Sequence, residues 1–429
     1  MGTNKSTESQ IPKNDFNLKS ALKSMGPAII VAAGILGPGT VTTSSVYGSK
    51  YGYAGLWIVA VAVLLAIFYQ EPAIRITNMN NDDENQTVML GIRNHISKPM
   101  AIILWITLLF GGIALQAGNL AGTAMALSYF FPGTNNFFWV CVISITGFTV
   151  GWFGVYKIVE NFNKILIAAI IIAFVLCAVY TGPNVGSLLT EGFTFKIAGG
   201  DYWTALALLS TTAPYHVVVG YSSLMKKRRM ESNSVDNTST DAQIKSAKFD
   251  LCISMIFAGL VTAAIIICAG TVMFPRGIEV KSASDMALQL TPLLGKFAGI
   301  VFSFGLFAAG FSTVLYQVTI QPYYMNEAFG KEVNLKSRQS RLVMASTGIL
   351  PLFVIALFGG TPVSLIVAAQ ALTGLAYPLV VILVFILCNN KNFMGKYKNT
   401  KSQNAIYAII GLITTFLAIS TFLSLAGII

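Results

Sequence analysis

About eleven apolar stretches, each long enough to cross a bilayer, occupy most of the 429-residue chain. A helix that spans the hydrocarbon core needs about 20 mostly apolar residues. Backbone polar groups at that depth must hydrogen-bond within the protein, so such stretches form helices. The sequence therefore predicts an all-α polytopic membrane protein with about 11 transmembrane helices. The predicted spans are 26–48, 53–74, 100–131, 137–155, 163–181, 202–225, 249–274, 297–325, 342–359, 362–388 and 404–428.

The composition excludes most soluble classes of protein. Charged residues make up 10% of the chain and apolar residues 55%, whereas soluble proteins carry about 25% charged residues. So few charges cannot cover a surface that faces water, and we expect a lipid bilayer around most of the chain. The sequence contains no Walker loop, GxSxG or HExxH motif, so we predict no enzymatic activity and no cofactor. The five cysteines lie in or beside apolar runs and are predicted to be small buried side chains.

The basic residues predict the orientation in the membrane. With the N-terminus inside, all but five of the 28 Lys and Arg residues fall on the cytoplasmic side, as the positive-inside rule requires. The net charge of +11 is therefore a topology signal, and no nucleic-acid partner is needed to explain it. We predict a multi-pass protein of the plasma membrane with a cytoplasmic N-terminus. The five exceptions are Lys50, Lys196, Arg276, Lys281 and Lys296.

Two spans contain a proline near their middle. The first break is Gly37-Pro38-Gly39-Thr40, and the second, in the sixth span, is Ala213-Pro214-Tyr215-His216. An irregular backbone at this depth persists only where it is buried in protein or lines a wet cavity. Because the breaks lie five spans apart, they predict an inverted repeat of spans 1–5 and 6–10 with a binding site between the two interrupted helices. The alternative is that each proline only kinks a packed helix.

This pattern predicts the domain organisation. Residues 1–25 form a polar cytosolic tail, residues 26–388 form the transporter core, and residues 404–429 add a C-terminal transmembrane helix. Within the core, residues 26–181 are the first repeat and residues 202–388 the second.

Several segments carry a family resemblance. They are GPAIIVAAGILGPGT at 26–40, KYGYAGLW at 50–57, PLLGKFAGIVFSFGLFAAGFST at 292–313 and AQALTGLAYPL at 369–379. Through them the chain resembles the natural resistance-associated macrophage protein family of proton-coupled divalent metal transporters. The resemblance implies the LeuT-type fold of 5+5 inverted repeats, with helices 1 and 6 broken at mid-membrane.

The chain departs from the family at the residues that bind metal. The family has Asp-Pro-Gly-Asn at the first break, where this chain has Gly37 to Thr40, and Met-Pro-His at the second, where it has Ala213 to Tyr215. The third-span Asp and Glu that the family uses for proton movement correspond to Asn119 and Gly122. Gln370 in the tenth span is retained. The resemblance thus implies a diverged branch whose site is Gly37, Pro38, Gly39, Thr40, Ala213, Pro214, Tyr215, His216 and Gln370.

The missing carboxylate suggests a substrate of opposite charge. A dehydrated divalent cation needs charged oxygen ligands, and neither break carries Asp, Glu, Met or Cys. Each broken helix presents a half-helix N-terminus, one near Thr40 and one near His216, and such ends favour anions. His216 could supply a proton near neutral pH. We therefore hypothesise a secondary transporter of a small inorganic anion, with bicarbonate favoured, working by alternating access.

Two alternatives remain open from the sequence. The first keeps the family's activity and moves a partly hydrated divalent metal, Mg²⁺ or Mn²⁺, because Mg²⁺ gives up water reluctantly. The second is a membrane receptor that binds a ligand without transporting it. For each alternative we expect a small ligand, and the sequence gives no sign of an obligate protein partner.

Overall fold

The computed structural model describes residues 37–79, 86–153, 156–231, 239–426 and 428. Every regular element in these ranges is a helix, and eight of the helices are long and apolar enough to cross a membrane. A shorter apolar helix, Ile165–Tyr180, lies at the predicted fifth span. One short helix lies at the first predicted span and two lie at the sixth. The prediction of an all-α polytopic membrane protein is confirmed.

The helices follow one another with short connections. In chain order they are α1 Pro38–Tyr51, α2 Leu56–Met79, α3 Val88–His95, α4 Lys98–Phe130, α5 Asn136–Phe153, α6 Tyr156–Tyr180, α7 Val185–Thr190, α8 Tyr202–Thr212, α9 Val217–Glu231, α10 Thr240–Val272, α11 Ala283–Ala287, α12 Thr291–Leu294, α13 Ala298–Ala328, α14 Arg338–Leu357, α15 Pro362–Gly374, α16 Tyr377–Asn389, α17 Lys391–Met394 and α18 Lys401–Leu425.

Helices α4 and α13 form the centre of the bundle. They pack extensively against each other, α15 packs on α4, and α10 packs on α1 and α2. Small residues allow this close approach, as is usual between helices in membranes. A Cβ atom at Gly118 of α4, for example, would lie 3.2 Å from the side chain of Ala369 in α15.

The sixth span is broken as the sequence predicts. Helix α8 ends at Thr212, α9 begins at Val217, and the four residues between them are not helical. Two tyrosine hydroxyls donate hydrogen bonds to backbone carbonyls of this non-helical segment. Tyr69 donates to the carbonyl of Tyr215 over 2.8 Å, and Tyr324 donates to that of His216 over 3.4 Å. The Tyr69 bond satisfies the Tyr215 carbonyl, and the His216 carbonyl also accepts from the Gly220 amide over 3.0 Å.

The first span is described only in its second half, and the tenth span is divided into two helices. Helix α1 begins at Pro38, and the N-terminal half of the first span, with the tail 1–25, lies outside the described residues. The tenth span also divides, into α15 and α16, with Leu375 and Ala376 between them. Gly374 and Pro378 are the sequence signals for this third break, which the sequence-based prediction of two breaks did not include.

Candidate functional site

A cavity of about 240 Å³ lies where the broken segments meet the central helices. It is bounded by the start of α1, the end of α8, the start of α9 and the middles of α4, α13 and α15. From the break it continues along α9, past Tyr221, Leu224 and Met225. The remaining lining residues are Gly37, Gly39, Thr40, Leu115, Asn119, Ser210, Thr211, Pro214, His216, Val217, Ser312, Thr313, Tyr316, Gln317, Gln370 and Thr373.

The two broken segments touch each other at the cavity wall. The hydroxyls of Thr40 and Thr211 are 2.8 Å apart, and both side chains are buried. Gly39 lies against the side chain of Gln370 so closely that a Cβ atom there would overlap the Gln370 amide. Glycine at position 39 therefore lets the tenth-span amide reach the start of α1.

Six of the nine predicted site residues line the cavity. They are Gly37, Gly39, Thr40, Pro214, His216 and Gln370.

The structure places the other three elsewhere. Pro38 packs against Gly122 and Gly310, where Cβ atoms would lie 2.5 and 2.9 Å from its ring. Ala213 is 1% exposed and belongs to the apolar core. The Tyr215 ring points away from the cavity: its hydroxyl lies against Gly111, and its ring centre is 6.2 Å from that of Tyr377.

The cavity also contains polar residues absent from the predicted set. Asn119 of α4 is 7% exposed and Gln317 of α13 is 3% exposed, and both line the cavity. The side-chain oxygen of Gln317 has no hydrogen-bond donor among the described residues. The available sequence signal was a carboxamide inside an otherwise apolar span, since such groups in membranes are usually functional.

The described lining carries no formal charge apart from what His216 can acquire. It includes no Asp, Glu, Lys or Arg, and the described residues contain no group of three His, Cys, Asp or Glu side chains that could enclose a metal ion. The Nδ1 atom of His216 has no hydrogen-bond partner within the described ranges. The polar groups of this largely apolar lining are thus neutral oxygens and amides, with one imidazole.

Helix ends of both signs meet the cavity. The N-termini of α1 and α9 carry partial positive charge and free N–H groups, and the C-terminus of α8 carries partial negative charge and free carbonyls. The α8 C-terminus is close to Thr40, whose hydroxyl is 3.5 Å from the Thr211 carbonyl oxygen. A site of this kind offers carbonyls to a cation as readily as it offers N–H groups to an anion.

Comparison with known proteins decides the family. A family model described as "Natural resistance-associated macrophage protein-like" matches residues 28–424. The chain belongs to this family. A homolog of natural resistance-associated macrophage protein 2 from Dictyostelium discoideum is 26% identical over 423 residues, and the match covers 96% of this chain but only 65% of that longer relative. The divalent metal cation transporter MntH of Caldanaerobacter subterraneus is 26% identical over 408 residues, covering 92% of this chain and 91% of its own.

Solved structures agree on the fold. The manganese transporter of Eremococcus coleocola superposes with a TM-score of 0.75 at 20% identity, covering 94% of this chain and 87% of that one. MhsT, solved in complex with L-phenylalanine, superposes with a TM-score of 0.59 at 18% identity over 91% of this chain and 98% of its own. The predicted LeuT-like fold is confirmed.

The anion hypothesis, with bicarbonate as substrate, is wrong. Several relatives that match nearly the whole chain are named as divalent metal cation transporters. Our prediction counted the half-helix N-termini and omitted the α8 C-terminus, whose carbonyls favour the opposite charge. It also assumed that a metal must lose its water to be carried, which Mg²⁺ resists.

Proposed function

We propose that this protein carries a divalent metal cation, Mg²⁺ or Mn²⁺, across the plasma membrane by alternating access, with much of the ion's water shell retained. Membership of a family whose curated relatives are named for divalent metal cations carries this proposal. The distribution of basic residues supports a cytoplasmic N-terminus, which places Arg93, Lys226, Lys227 and Lys331 at the cytoplasmic end. We also propose that residues 26–181 and 202–388 form the two inverted repeats of the transporter.

The volume of the cavity supports a hydrated substrate. A water molecule occupies about 30 Å³ in the liquid, and Mg²⁺ prefers an octahedral shell of about six oxygens. A cavity of about 240 Å³ therefore has room for the ion together with a full first shell.

The chemistry of the lining supports the same substrate. Water molecules on a divalent cation are strong hydrogen-bond donors, and they need acceptor oxygens around them. Thr40, Thr211 and Gln317 line the cavity, and their side chains carry such acceptor oxygens without a formal charge. Holding the ion through its waters avoids placing two uncompensated charges directly against a neutral wall.

Uptake into proteoliposomes tests the function. We expect saturable uptake of Mg²⁺ and Mn²⁺, each competing with the other. Hexaamminecobalt(III), whose ammonia ligands do not exchange, should inhibit both because it resembles a hydrated cation. Bicarbonate should produce no pH change beyond that of empty liposomes. If neither metal enters faster than into empty liposomes, or if bicarbonate enters through the protein, the proposal is wrong.

Gln317→Leu should weaken cation binding while Tyr215→Phe should not. Leucine removes the carboxamide of a residue that lines the cavity, and a hydrogen bond to a charged group is worth about 1.5–3 kcal/mol. We therefore expect the KM for Mg²⁺ to rise by about tenfold or more. The Tyr215 hydroxyl has no hydrogen-bond partner among the described residues and lies outside the cavity. Equal KM values for the two variants would contradict this placement of the site.

A further inference from the structure

A buried carboxylate outside the central cavity has no role in the function proposed above. Glu327 lies near the end of α13 and is 2% exposed. One of its oxygens accepts hydrogen bonds from the hydroxyls of Thr87, over 3.0 Å, and Ser223, over 2.9 Å. These donors are neutral and come from the start of α3 and from α9. An ionisable group buried inside a membrane protein is a functional candidate, because its burial is costly.

Glu327 borders a second cavity, which we call the cytoplasmic cavity. This space of about 760 Å³ lies at the cytoplasmic end and is distinct from the central one. Glu327 therefore lies between the protein interior and a space wide enough for many waters. The other charged residues that line the cytoplasmic cavity with Glu327 are Arg93 from α3, Lys226 and Lys227 from α9, and Lys331 and Glu332 from the segment after α13.

Hydroxyl groups lead from the central cavity toward Glu327. Tyr316 lines the central cavity, and its ring centre is 6.4 Å from that of His216. The hydroxyls of Tyr316 and Tyr324 both lie against Gly220, where a Cβ atom would be 2.5 and 2.6 Å from them. The two oxygens are therefore neighbours, and the Tyr324 hydroxyl donates to the His216 carbonyl over 3.4 Å. Glycine at position 220 thus leaves room for both oxygens.

Helices α9 and α13 carry the next polar groups, Ser223 and Glu327, one turn further along. Tyr324 and Glu327 are three residues apart on α13, and Gly220 and Ser223 are three residues apart on α9, so each pair lies on one helix face. The step from the two tyrosine hydroxyls to the Ser223 hydroxyl is therefore about one helical turn, roughly 5 Å. One water molecule can bridge such a gap.

We propose that Glu327 is the proton-carrying residue of the transport cycle, connected to the central cavity through Tyr316 and Tyr324 and to the cytosol through the cytoplasmic cavity. This inference rests on the proposed cation transport. It assigns proton movement to helices α9 and α13, whereas the family resemblance places it on the third span, where this chain has Asn119 and Gly122.

The proton balance of the step is simple. A hydronium ion in the central cavity gives a proton to the Tyr316 hydroxyl, which passes its own proton to Tyr324. The Tyr324 hydroxyl turns from the His216 carbonyl and passes a proton through the bridging water to the Ser223 hydroxyl, which passes its own proton to Glu327 over 2.9 Å. An O–H bond forms on the Glu327 carboxylate, and each hydroxyl ends with the number of protons it had. The resulting carboxylic acid then releases its proton to water in the cytoplasmic cavity.

Proton and cation fluxes measured together test the proposal. Full-length protein is placed in liposomes that contain a pH dye, and Mn²⁺ uptake is recorded at external pH 5.5 to 8. The wild-type protein should acidify the interior as Mn²⁺ enters, and its uptake should increase as the external pH falls. Glu327→Gln, which cannot exchange a proton, should lose the acidification by about tenfold or more, the scale expected when a proton-transfer group is removed. Its Mn²⁺ uptake should become independent of pH.

Further variants separate this role from a structural one. Tyr324→Phe keeps the carboxylate but interrupts the hydroxyl series, so it should lose acidification while remaining folded. Glu327→Asp should restore acidification in part. Glu332→Gln changes another acid of the same cavity and should behave as wild type.

Each outcome has one interpretation. Loss of proton flux in Glu327→Gln and Tyr324→Phe, with Mn²⁺ uptake retained, supports the proposal. A uniform fall in uptake with an unchanged pH profile means that Glu327 only fixes α3 to α9, and this overturns it. Mn²⁺ uptake without acidification by the wild-type protein also overturns it and leaves the proposed cation transport intact. Absence of any Mn²⁺ uptake contradicts the proposed function itself.

Discussion

Gly37→Asp is expected to lower the KM for Mn²⁺ by about ten- to a hundredfold and to make the protein prefer Mn²⁺ over Mg²⁺. Gly37 lines the central cavity and is the N-cap of α1, without a side chain to cap the helix. A carboxylate there would supply the charged oxygen that the described lining lacks. At an effective dielectric constant near 20, opposite unit charges about 4 Å apart attract by about 4 kcal/mol. Even after desolvation, a net gain of about 1.4 to 2.8 kcal/mol corresponds to the expected change in KM.

The matched control is Gly37→Asn. A Cβ atom at position 37 would lie 2.9 Å from Cγ2 of Thr313, whose side chain must rotate to make room. Asn and Asp impose the same steric demand, and both cap a helix well. They differ in charge. Competition uptake of Mn²⁺ against Mg²⁺ measures the preference, and equal KM values for the Asp and Asn variants would show that position 37 does not face the bound ion.

Much of the fold followed from the sequence because hydrophobicity dictates it. Spans such as 53–74 and 100–131 are apolar along their whole length, and lipid leaves the backbone of such a stretch only the helix. The break in the sixth span was equally predictable, since Pro214 lacks an amide donor and follows Ala213 at mid-membrane. The backbone of the candidate site was therefore within reach of sequence analysis.

The directions of the side chains at the sixth-span break could not be predicted from the sequence. Once the helix unwinds, helical spacing no longer tells which way a residue points. Tyr215 and His216 are adjacent, yet His216 lines the cavity while Tyr215 packs toward Gly111. Asn119 and Gln317 were missed for a related reason: their place in the site depends on how α4 and α13 are rotated against each other, which a single sequence does not encode.

The charge of the substrate was the property that the sequence predicted least well. The absence of Asp and Glu at the breaks is visible in the sequence, but the balance between helix N-termini and C-termini depends on which ends meet. Here the α8 C-terminus lies beside Thr40, within 3.5 Å of its hydroxyl. Only the assembled geometry shows that carbonyls and N–H groups face the same cavity.

Gly122→Ala is expected to reduce cation uptake by about fivefold or more, with little change in KM. Gly122 of α4 and Gly310 of α13 contact the Pro38 ring from two helices, and a Cβ atom at Gly122 would lie 2.5 Å from the Pro38 Cβ. The proline ring is rigid, so α1 and α4 must separate to admit even one methyl group. Overpacking of this kind costs about 1–3 kcal/mol.

The expected loss of rate follows from alternating access. If Pro38 sits between Gly122 and Gly310 in only one conformation of the cycle, a penalty of about 1–3 kcal/mol shifts the equilibrium away from that conformation by about 5- to 150-fold. Uptake rates and the melting temperature are measured together. Gly348→Ala is the matched control, because its Cβ atom would make only ordinary contacts, the nearest at 3.7 Å, and alanine favours the helix by up to about 1 kcal/mol. Normal uptake by Gly122→Ala would show that α1 and α4 separate readily there, and that this contact does not limit the cycle.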